Sequence, residues 1–138
     1  MAAALKLDIL TPHGPKRRDL DVAGVEIPGL LGELGALPQH EAFITAVTPG
    51  VVRFKEDGKA VRIAVGAGFL EITHDGRAII LVERAAEVDE IEVDAAREAL
   101  QEAASKLGGH QGAIDTAEYR VLAQERDWLE AQLRAAGA

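Results

Sequence analysis

At Glu83 the chain changes its period: ahead of it apolar residues alternate in short runs, and beyond it they recur at helical spacing. One layer cannot serve both periods. The chain is therefore expected to be α+β, with an N-terminal antiparallel β-sandwich over residues 1–84 and a C-terminal antiparallel helical hairpin over 85–138. The charge divides at the same place. Residues 1–82 carry 9 Lys/Arg and 10 Asp/Glu, a net of −1, whereas 83–138 carry 6 and 13, a net of −7. Clustered Lys/Arg is what phosphate backbones require, so an acidic second half argues against nucleic acid. The one basic cluster, Lys16-Arg17-Arg18, reads as a solvated strand edge.

The first part is punctuated by turn chemistry. Leu5–Leu10 is followed by Thr11-Pro12-His13-Gly14, and Asp19–Ile27 runs into a Pro/Gly-rich stretch. Ala42–Val47, Val51–Phe54, Ala60–Val65, Phe69–Thr73 and Arg77–Val82 continue the series. Glu56-Asp57-Gly58-Lys59 and His74-Asp75-Gly76 are hairpin signals. So many short strands indicate a sandwich or flattened barrel, since no helix is available among them to cover a single sheet.

In the second part Ala95, Ala96, Ala99, Leu100, Ala103, Ala104 and Leu107 share one helix face, ended by Gly108-Gly109. Asp115 and Glu118 suit a capping box, with Ile114 and Tyr119 as staple, and Leu122, Trp128, Leu129 and Leu133 follow. Alanine favours helix but buries little area, so such a hairpin is expected to form readily and dock weakly.

Between the two sheet-like series lies the stretch that shapes the fold, Val25–Phe54. Pro28, Gly29, Gly32 and Gly35 bend the backbone while Leu30, Leu31, Leu34 and Leu37 are expected to stay out of water. A bare corner between sheets and a recognition loop both fit these residues. The order I-P-G, G-E-L-G, P-x-H and T-P-G-V, then V-G-A-G-F-L-E-I-T and V-D-A-A-R, resembles the epsilon subunit of bacterial F-type ATP synthases over nearly the whole chain. Gln39, Ala67 and Glu98 depart from the usual family pattern.

The resemblance implies a non-catalytic component of the rotor stalk that couples ion translocation to ATP synthesis, with a hairpin that inhibits ATP hydrolysis. It implies binding to the gamma subunit and the c-ring through Pro28, Gly29, Glu33, Leu34, Gly35 and His40. The alpha and beta subunits would be met when the hairpin extends. The expected location is peripheral, on the cytoplasmic face of the bacterial inner membrane. In some members an Asp and an Arg at the positions of Asp94 and Arg97 bind regulatory ATP; a surface ion pair is the other reading of these two residues.

No catalytic apparatus is visible. The chain has no cysteine, and its four histidines, His13, His40, His74 and His110, lie far apart without metal-ligand spacing. No residue is assigned to a metal or to catalysis. No unbroken apolar span or signal-peptide core occurs, so the protein is expected to remain where it is made. The alternatives to a stalk subunit are a free-standing adaptor built from the same two parts and a small barrel enzyme using His40 with a carboxylate.

Overall fold

The computed structural model describes residues 4–30, 32–36, 41–109 and 116–138. Among the described residues ten strands, β1 Leu5–Thr11, β2 Gly14–Val22, β3 Val25–Gly29, β4 Gly32–Ala36, β5 Phe43–Val47, β6 Gly50–Glu56, β7 Lys59–Val65, β8 Gly68–Ile72, β9 Arg77–Val82 and β10 Ala85–Glu87, form one hydrogen-bonded sheet. The order along it is β10-β7-β6-β3-β5-β8-β9-β1-β2, with β4 attached to β3. Alternation decides the core: Leu5, Leu7 and Ile9 of β1, with Ile80 and Leu70 beside them on β9 and β8, share one interior with Val52 and Ile63 of β6 and β7. Each such Leu or Ile, taken out of water, contributes about 2 kcal/mol.

Hairpin signals become tight turns. Asp57 and Gly58 both have positive φ, 51° and 79°, which matches the twist of β6 and β7. The run expected to be one strand from Asp19 to Ile27 is instead two. It breaks at Ala23-Gly24 because β2 pairs with β1 whereas β3 pairs with β4 and β6. The sheet also extends past the boundary expected at 84/85, since Ala85–Glu87 pair with Ile63–Val65.

The sheet's outer strands are joined by side chains. Arg17 donates from Nε and an NH2 group to the two oxygens of Glu56, each at 3.1 Å, and lies 2.8 Å from Glu87 of β10. Its guanidinium stands 5.8 Å from the Phe54 ring centre. Its neighbour Lys16 reaches Glu90 at 2.6 Å. β2 is at the sheet's end, as the basic cluster suggested, but Arg17 is not solvated: it spans the seam between the two ends and satisfies its donors there.

After a 3₁₀ turn at Val88–Glu90, helices α1 (Val93–Gly108) and α2 (Ala117–Ala135) form the hairpin. α2 has two buried faces. Trp128, Ala131 and Ala135 pack on Val51, Ala64 and Ala86, the outer side of β6, β7 and β10. Leu129 and Leu133 turn to Ala96 and Ala103 of α1. A helix therefore covers part of the outer side of the sheet, and α1 is carried on it as an outer layer. Ala95 and Ala104, expected on the buried face of α1, are exposed, because α1 packs mainly against one neighbour and needs only a narrow stripe.

The α2 cap also differs from the expected one. Thr116 is N-cap, accepting a hydrogen bond from the Tyr119 backbone N–H at 3.2 Å, which puts Glu118 at the second helical position rather than the third. Threonine caps as an aspartate would, through a side-chain oxygen. Ile114 and Asp115 lie outside the described residues.

Candidate functional site

The Pro/Gly stretch is a two-stranded ribbon. Pro28 pairs with Glu33 and Gly29 with Gly32, and Gly32 has φ 112°, a conformation open to glycine. Pro28 has no N–H to give, but its carbonyl accepts from Thr48 N–H at 3.2 Å. Glu33 is exposed and 2.9 Å from Arg53 of β6, Leu34 packs against the core, and Gly35 faces solvent. Leu30, expected to be kept from water, is instead 72% exposed at the ribbon's tip, where no layer lies above it among the described residues. Leu31, Leu37 and His40 lie outside the described residues.

A larger apolar surface lies on the outer side of β5, β8 and β9. Antiparallel register sets Ala46 beside Phe69 and Phe69 beside Leu81, and the parallel β1–β9 pair adds Leu10 to the same row. One row thus crosses four strands. Phe69 is 60% exposed and Leu81 50%, and Ile44, one row away, is 70% exposed. Apolar side chains gathered on one open sheet face mark a place where another macromolecule binds. The sequence reasoning missed this face, although R-A-I-I-L-V in β9 is apolar on both sides of the strand and so signals two covered faces.

Asp94 and Arg97 share the first turn of α1, 3.9 Å apart and both exposed, so their geometry is that of a loose surface pair. His13 and His74 are exposed in turns. Among the described residues no group of three His, Asp or Glu is placed to hold a metal ion, and no helix is long and apolar enough to cross a membrane.

Residues 4–88 match the family model described as ATP synthase, Delta/Epsilon chain, beta-sandwich domain. The ATP synthase epsilon chain of Desulforamulus reducens is 36% identical over 83% of this chain and 86% of its own length. That of Anaeromyxobacter sp. (strain K) is 40% identical over 75% of this chain and 77% of its own. A chain in the Euglena gracilis mitochondrial ATP synthase OSCP/F1/c-ring structure superposes on 99% of this one, covering 82% of that chain, with a TM-score of 0.82 at 24% identity, which shows the fold. With a sandwich, an appended helical hairpin and relatives this similar over most of its length, the chain belongs to the ATP synthase epsilon-chain family.

Proposed function

We propose that this chain is a non-catalytic stalk subunit that binds the gamma subunit through the apolar row Leu10, Leu81, Phe69 and Ala46, with Ile44 beside it. That row carries the reading. A stalk subunit must turn with its neighbour and so needs a broad apolar contact, whereas a small enzyme acting alone has no need of one on a strand face opposite its core. The β3–β4 tip, with Leu30 and Glu33 exposed, is directed to the polar loops of the c-ring. The site is peripheral to the membrane, on the cytoplasmic face of the bacterial inner membrane.

The helical hairpin is docked here and serves as the regulatory part, leaving the sheet to approach the alpha and beta subunits and oppose ATP hydrolysis. The test is assembly. Phe69→Glu with Leu81→Glu should abolish capture of the chain by gamma while its melting temperature stays within a few degrees; capture at the original level removes this face from the interface. In the assembled complex, deleting residues 89–138 should raise ATP hydrolysis. ATP regulation through Asp94 and Arg97 is read from the melting temperature of the isolated chain with and without millimolar ATP, compared with Arg97→Ala.

A further inference from the structure

We infer that Arg84 is a latch that holds the helical hairpin against the sandwich, by gripping α2 through Trp128 and Glu125. This rests on the reading that the hairpin is the mobile part. The guanidinium carbon lies 4.7 Å from the centre of the Trp128 ring, and NH2 donates to the Glu125 carboxylate at 2.8 Å. A cation over an indole face and a charge-assisted hydrogen bond thus act on one helix from one side chain. Trp128 is buried and is the only tryptophan in the chain.

The base of the latch is built into the sheet. Arg84 stands between β9 and β10, its carbonyl accepting from Gly66 N–H at 2.9 Å, while Glu83 N–H donates to Ala67 at 3.0 Å. The turn Gly66-Ala67-Gly68 gives the stems room: a Cβ on Gly66 would meet Glu83 Cγ at 2.9 Å and Arg84 Cγ at 3.1 Å. A Cβ on Gly68 would lie 1.9 Å from the Leu81 carbonyl oxygen. The Gly66-Ala67-Gly68 turn is therefore the seat on which Arg84 rests.

The grip is also releasable. The Arg84 and Glu125 side chains are 35% and 46% exposed, so water competes with their ion pair and the latch holds less firmly than a buried pair would. The other sheet contacts of α2 are apolar, Trp128, Ala131 and Ala135 on Val51, Ala64 and Ala86, so Arg84 adds the directed polar grip to a dock otherwise made by packing.

Hydrogen exchange on the full isolated chain tests this, with the amides of β8 and β9 as internal reference. Arg84→Ala should speed exchange across α2 by about tenfold and open Trp128 to an aqueous quencher, with β8 and β9 unchanged. Arg84→Lys keeps the charge without the planar stack and should fall between. Glu125→Gln should loosen α2 less than Arg84→Ala does. Unchanged α2 exchange in Arg84→Ala overturns the latch, and so does an equal rise in α2, β8 and β9, which would make Arg84 part of the sandwich's own core. Failure of the stalk assignment is read separately, in capture by gamma, which needs no motion of the hairpin.

Discussion

Gly50 and Pro28 are locked together: a Cβ on Gly50 would lie 2.6 Å from Pro28 Cβ and 2.9 Å from its Cγ. The two belong to separate strands, Pro28 to β3 and Gly50 to β6, and both are buried. Replacing a glycine by alanine usually stabilises by narrowing the unfolded ensemble. Here the ring of Pro28 is in the way and the sheet must shift. Gly50→Ala is expected to destabilise the sandwich by about 1–3 kcal/mol. Urea unfolding measures it; an unchanged or higher midpoint would show that Pro28 can move aside.

Arg17 gives a second prediction. Its side chain is 18% exposed and holds Glu56 by two parallel bonds, so Arg17→Ala leaves the Glu56 and Glu87 carboxylates on the opposite side of the seam without their cation. The loss should be about 2 kcal/mol. Lysine cannot reproduce the fork, so Arg17→Lys should restore less than half of it. Full recovery by lysine in the same unfolding experiment would reduce the contact to simple charge balance.

Acid should loosen the β1–β2 edge. The Asp19 carboxylate is held below the ordinary aspartate range by its hydrogen bond from Arg77, 2.7 Å away, and by that residue's charge. A depressed folded value means that Asp19 contributes stability above the unfolded value of about 3.9. That contribution is lost as the pH falls through the lower folded value. Glu90, lowered by the Glu87 backbone N–H and then by Lys16, acts in the same direction. Asp19→Asn tolerates the positive φ of 54° and removes the titration, so its stability should fall less steeply below about pH 4. Parallel acid limbs for the two proteins would exclude Asp19 as a contributor.

The sandwich should fold without the hairpin. Its main core draws only on residues from Leu5 to Ala85, none of them in a helix. A fragment of residues 1–88 retains β10 and should melt cooperatively, at a lower temperature than the whole chain because Val51, Ala64 and Ala86 lose their cover. A broad, non-cooperative calorimetric transition would place α2 within the core.

The sequence by itself determined the local features. The strand runs Leu5–Leu10 and Arg77–Val82, the turn residues Asp57-Gly58 and the helical stripe of Ala96, Ala99 and Ala103 are set by residues adjacent in the chain, and each appears where expected. Tertiary structure decided the rest. Arg17 and Glu56 are 39 residues apart and Arg84 and Glu125 are 41 apart, so only the wrapping of the sheet and the docking of α2 bring them together. The apolar row is equally a product of register, since Leu10, Leu81, Phe69 and Ala46 come from four strands that pattern alone cannot align. Leu30 looked buried because its neighbours were apolar, but burial depends on whether another layer lies above a turn, and none does there among the described residues.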